Sequence, residues 1–159
     1  MTLAVRRVVT GHDPGGRAVV KIDEVCGNVV SNRPGSSSCV VWSTEGNPVD
    51  NDGDEDPTGR PIGTTIEDGS VFRVVRYEPG LTPRMHRTDS IDYAVVLSGR
   101  IDLELDDHQT VSLAAGDLIV QRGTVHAWVN HGPDPCEIAF VLVAAKPVTV
   151  DGQILRAEG

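Results

Sequence analysis

Residues 80–99 read GLTPRMHRTDSIDYAVVLSG, and residues 116–130 read GDLIVQRGTVHAWVN. Turn-forming glycines punctuate both segments, and each carries one histidine, His86 or His126. On a β-strand, side chains return to the same face every second residue. Arg84, His86 and Thr88 therefore share one face, and His126, Trp128 and Asn130 share another. Two such faces turned into one barrel would bring together two imidazoles, a guanidinium, a hydroxyl, an amide and an indole. An apolar body with a few convergent polar groups is the make-up of a small-molecule site.

The sequence on either side supports a barrel. Strands are predicted at 3–10, 17–25 and 38–44, and again at 70–77, 82–88, 91–97, 101–105, 109–113, 117–121, 124–130 and 136–145. Clusters of Gly, Pro, Asn and Asp separate them at the spacing of about 8–12 residues found in sandwiches and closed barrels. Residues 26–37 read as a loop and 146–159 as a short extended tail. No segment carries a helical period. Ile101, Leu103 and Leu105 alternate with Asp102, Glu104 and Asp106, which gives that hairpin an inside and an outside. The expected fold is all-β: a jelly-roll β-barrel of two packed antiparallel sheets, in a single domain over 1–159. Residues 1–44 supply N-terminal strands, 45–60 an acidic loop, and 70–145 the barrel.

Composition narrows the function. The chain has 159 residues, enough for a real core, and a net charge of −9. That charge argues against nucleic acid and anionic membranes as partners. The first residues lack the apolar run of a signal peptide, and nothing approaches the roughly 20 apolar residues of a membrane span. The expected location is the cytoplasm. Cys26, Cys39 and Cys136 are widely spaced and odd in number, and read as buried free thiols. The loop at 45–60 holds six carboxylates and two prolines. Its Asp50-x-Asp52-x-Asp54 string suggests a calcium loop, but Gly53 precedes the third aspartate and Pro61 stands where a bidentate glutamate is needed. It reads as a solvated loop or a lid.

The first segment resembles the first cupin motif, G-x5-H-x-H-x3-E-x6-G. Gly80, His86 and Gly99 match it, Thr88 replaces the second histidine, and Asp92 replaces the glutamate. The second segment is similar to the second cupin motif through Gly116, Gly123, His126 and Asn130, with Gln121 in place of proline. The resemblance implies one divalent metal ion (iron, zinc, nickel or manganese) held by His86, Asp92 and His126. Against it, the Asp92 side chain is one methylene shorter than glutamate, and the Thr88 hydroxyl is a poor ligand. The resemblance also implies a homodimer, with the N-terminal strands adding to a sheet.

Three functions fit these residues. The first is a lyase or isomerase, with or without metal, acting on a small oxygenated or polyketide-like acid. His86, His126 and Asp92 would move protons, and Arg84 would clamp a carboxylate or polarise a carbonyl. Thr88, Trp128 and Asn130 would line the pocket. The second is an iron-dependent dioxygenase, which needs the full metal site. The third is a binding barrel without catalysis.

Overall fold

In the computed structural model, which describes residues 2–159, burial alternates along three strands. These are β5 (Gly69–Tyr77), β6 (Ser90–Ser98) and β11 (Cys136–Ala144). Val71, Val75 and Tyr77 of β5, Ala94 and Val96 of β6, and Ile138, Phe140 and Leu142 of β11 are buried. Phe72 and Tyr93, on the opposite parity, are exposed. Antiparallel pairing of β11 with both β5 and β6 puts the buried sets on one face.

These strands are the middle of a six-stranded sheet. Its order is β3 (Val30–Arg33), β4 (Ser36–Glu45), β5, β11, β6 and β9 (Leu118–Arg122). A second sheet has the order β10 (Ala127–Val129), β7 (Arg100–Glu104), β8 (Thr110–Ala114). Ile101 and Leu103 of β7 and Trp128 of β10 join the residues of the large sheet in one buried cluster. Two antiparallel sheets around one core form the jelly roll expected from the sequence. Gly99 closes the β6–β7 corner with φ 77°, a conformation nearly reserved for glycine.

Three parts differ from the sequence reading. Residues 26–37 are not all loop, because β3 lies inside them and β4 begins at Ser36. Residues 146–159 contain the hairpin of β12 (Val148–Val150) and β13 (Gln153–Leu155), and Glu158 then bridges to Arg87. Residues 82–88 form no strand. The segment meets the barrel through two isolated antiparallel bridges, His86 to His126 and Arg87 to Glu158. Pro83 has no N–H to give a ladder, which suits an irregular segment better than a strand.

Within the chain the first strands, β1 (Arg6–His12) and β2 (Ala18–Val25), pair with each other as a separate two-stranded sheet. Leu3 and Cys26 at its ends pack on Cys39 and Val74, on the outside of the six-stranded sheet. Arg7 anchors this layer. Its buried guanidinium donates to Glu24 at 2.6 Å, to Asp56, to the Val41 carbonyl and to Thr58. Asp56 also caps the short 3-10 turn Pro57–Gly59, accepting from the Thr58 N–H. The acidic loop is thus held against the hairpin, with Lys21–Asp54 as a further pair. All three cysteines are buried and free. Among the described residues, no helix is long and apolar enough to cross a membrane.

Candidate functional site

The site begins with one bridge. His86 and His126 exchange both backbone hydrogen bonds, N to O at 3.0 and 2.9 Å. Directly opposed residues of an antiparallel pair project to the same side. The two rings accordingly lie side by side, with centroids 4.3 Å apart and planes tilted by 48°. His86 Nδ1 is 3.0 Å from the Arg84 carbonyl, and His126 Nδ1 is 3.0 Å from the Thr124 carbonyl. A carbonyl only accepts, so Nδ1 carries the proton in both rings and each Nε2 presents a lone pair.

Both imidazoles line a cavity of about 380 Å³ inside the barrel. Burial pushes the His126 pKa down to about 4 and moves His86 below its ordinary value as well. Both rings are therefore neutral at pH 7. Trp128 meets His126 edge-on at 6.0 Å and Phe140 edge-on at 5.5 Å, forming an aromatic wall. A shallower groove along residues 31–37 shares Asn32, Arg33 and Ser36 with the cavity but contains no histidine.

Asp92 enters from β6, buried, with its pKa raised chiefly by burial. Ser90 Oγ lies 2.6 Å from Asp92 Oδ1 and 2.8 Å from Thr88 Oγ1. A hydroxyl has one proton, so Ser90 donates to the carboxylate and accepts from Thr88. Thr88 thus begins a short hydrogen-bond chain ending at Asp92. The ligand set His86, Asp92 and His126 does not come together: among the described residues, no three His, Cys, Asp or Glu side chains are grouped to hold a metal ion. The two Nε2 atoms suit a metal. The carboxylate committed to Ser90 does not complete the set.

Of the expected residues, Arg84, His86, Thr88, Asp92, His126 and Trp128 all line the cavity. Asn130 does not. The parity of 124–130 puts it beside Trp128, but β10 ends at Val129 and the chain turns. Asn130 is 1% exposed. Its amide donates to the Tyr77 and Asp134 carbonyls and accepts from the Gly132 N–H. Its own carbonyl accepts from the Gly80 N–H at 2.9 Å. Asn130 therefore fastens the turn and faces no ligand.

The sequence reading missed Arg33, Arg73 and Tyr77, which also line the cavity. A signal for Arg73 was present. In 70–77 it shares parity with Val71, Val75 and Tyr77, and a charge inside an apolar face marks a buried functional group.

The cupin domain family model matches residues 73–143, the span holding β5 to β11 and nearly all of these side chains. Across the chain, 94% aligns at 37% identity with 83% of phomopsin biosynthesis cluster protein C' of Diaporthe leptostromiformis. Another 94% alignment, at 32% identity, covers 77% of a cupin-domain-containing oxidoreductase of Aspergillus ruber. The chain belongs to the cupin family. Among solved structures, this cupin is similar to an RmlC-like cupin from Shewanella frigidimarina. That similarity has a TM-score of 0.49 and 13% identity, over 74% of this chain and 83% of that one.

Proposed function

We propose that this cupin is a small-molecule enzyme that moves a proton beside a carbonyl, in the dehydration, isomerisation or decarboxylation of a small oxygenated or polyketide-like acid. The observation that carries the reading is the paired, neutral imidazoles, each with an unprotonated Nε2, that line one cavity. A neutral imidazole is a competent general base. One Nε2 accepts the proton from the carbon next to the carbonyl, and the electron pair moves onto the carbonyl oxygen. Arg84 at the cavity mouth stabilises that charge. The proton then returns to a different atom: carbon for isomerisation, or a departing hydroxyl, released as water, for dehydration. In decarboxylation the Nε2 takes the carboxyl proton instead, CO2 leaves as its C–C bonding pair moves onto the carbonyl oxygen, and that proton is returned to the carbon. The relatives named for biosynthesis clusters support a small organic substrate.

A second reading, a metal-dependent oxidoreductase or dioxygenase, is supported by relatives named as cupin-domain-containing oxidoreductases. A metal in this cavity would be held by His86 and His126, and a third donor would have to come from substrate or from movement of Asp92. One experiment separates the readings. The protein, before and after chelator treatment, is incubated in D₂O with a panel of β-keto acids and cyclic 1,3-dicarbonyls, and exchange is followed by proton NMR. Chelator-resistant exchange, lost in His126→Ala, supports proton transfer. Activity lost on chelation and restored by iron with oxygen uptake overturns it in favour of the second reading.

We also propose that this cupin is a homodimer. The outer face of β6 and β9 supports this, because Tyr93, Val95, Leu97, Leu118 and Val120 are all exposed there.

A further inference from the structure

Eight arginines divide into two groups by their partners. Arg6, Arg7, Arg60, Arg76 and Arg87 lie outside the cavity and pair with carboxylates. Arg33, Arg73 and Arg84 are the arginines that line the cavity. Arg33 and Arg73 donate to backbone carbonyls, of Thr82 and Gly63, and Arg84 donates to a main-chain oxygen of Gly159. None of the ion pairs among the described residues includes these three. The chain has 23 carboxylates and only 14 Lys and Arg, so missing partners are not a matter of supply.

Arg73 lies deepest of the three. It projects from β5 between Val71 and Val75, and its Nε is buried with no acceptor. Burial works against its charge, and the nearby carboxyl of Asp92 is already engaged by Ser90. A desolvated, unpaired guanidinium is costly to keep in a barrel, whereas a planar fork of N–H donors matches a carboxylate. The Arg73 position is therefore strained without a ligand and satisfied with one.

We propose that Arg73 is the anchor for a carboxylate of the ligand, deep in the barrel, with Arg33 and Arg84 forming a positive collar at the mouth. This makes the cavity a site for organic acids and gives a direction to binding: the carboxylate points to Arg73 and the reacting carbon lies towards the two imidazoles. The inference rests on the proposed proton transfer for the word substrate, but not for the anion selectivity.

The test compares benzoate with benzamide, and acetate with acetamide, as ligands followed by thermal shift and by intrinsic tryptophan fluorescence, to which Trp128 in the cavity wall contributes. The acids are expected to bind roughly tenfold or more tightly than the amides. Arg73→Met is expected to erase that preference while its melting temperature without ligand stays level or rises, since an uncompensated charge has been removed. His126→Ala is expected to keep the preference while losing proton exchange, so a failure of the catalytic reading is visible separately. Equal binding of acid and amide, no binding of either acid, or a fall in the ligand-free melting temperature of Arg73→Met, would overturn the proposal.

Discussion

His86 and His126 form a single bridge outside any longer ladder, yet that bridge sets their rings 4.3 Å apart. The two histidines are 40 positions apart in sequence and act as one unit in space. Either substitution should then remove the function without removing the fold, because the rings rest on a cavity wall and the backbone bonds persist. His126→Ala and His86→Ala are each expected to lower turnover about 100-fold or more, the usual contribution of a general base. Circular dichroism should be unchanged. A variant that keeps full turnover places the chemistry elsewhere.

The depressed pKa of His126 predicts a pH-dependent stability. The folded value is about 4, against an unfolded value near 6.5. Between these values the unfolded chain binds the proton and the folded chain does not, so stability falls as pH drops from 6.5 to 4. Over the whole window the loss is about 3 kcal/mol. Urea unfolding of the native chain and of His126→Gln across this range should show the slope in the first and its reduction in the second.

How much of the site the sequence revealed depends on whether parity survives folding. His126 and Trp128 kept the relationship that alternation predicts, since the bridge at His126 leads directly into β10. Asn130 lost it one step after the strand ended. Arg84, His86 and Thr88 reached the cavity although their segment is not a strand, because the bridge at His86 fixes it. Arg33 was hidden in a Ser-, Asn- and Pro-containing stretch that looks like a loop and carries β3. The relation of Ser90 to Thr88 and Asp92 is a matter of hydroxyl position, which no spacing encodes.

Arg7 and Asp56 predict a second, more acidic transition. Arg7 is 6% exposed, and its guanidinium holds the Asp56 carboxyl at about 2. A depressed carboxylate pKa contributes stability that is present above the unfolded value near 3.8 and lost as pH falls towards 2. Asp56→Asn should cost about 1–2 kcal/mol at pH 7, discounted because the carboxylate is partly solvated and Glu24 remains. It should also free the acidic loop, seen as faster proteolysis within 45–60. An unchanged urea midpoint at pH 7 would show that Glu24 alone suffices.

Gly99 predicts a fold-level sensitivity. Its φ is 77°, and a Cβ built there would collide with the Pro135 carbonyl oxygen and the Cys136 Cα. Both obstacles are backbone, so neither gives way like a side-chain end. Gly99→Ala is expected to destabilise by at least about 2 kcal/mol, from backbone strain together with the collision. The measure is the urea midpoint at constant m-value. A loss under about 0.5 kcal/mol would mean that the β6–β7 corner opens freely.

Tyr93 and Val120 face each other across β6 and β9, as do Val95 and Leu118, so four apolar side chains form one block. Leu118 is 76% exposed and Tyr93 51% exposed, on the strand pair at the sheet's edge. The β1–β2 hairpin covers the other half of this outer surface, through Leu3 and Cys26, and leaves the block open. Apolar blocks of this kind mark contact surfaces. A two-fold related copy would cover it isologously, and a stable contact needs about 1,200–2,000 Å² in total. Light scattering behind size exclusion is expected to give twice the chain mass for the native protein. For Leu118→Lys combined with Tyr93→Lys it should give the single mass, because two buried lysines per side cannot be paired there. A native monomer at micromolar concentration, or a double variant that remains dimeric, would move the contact to another face.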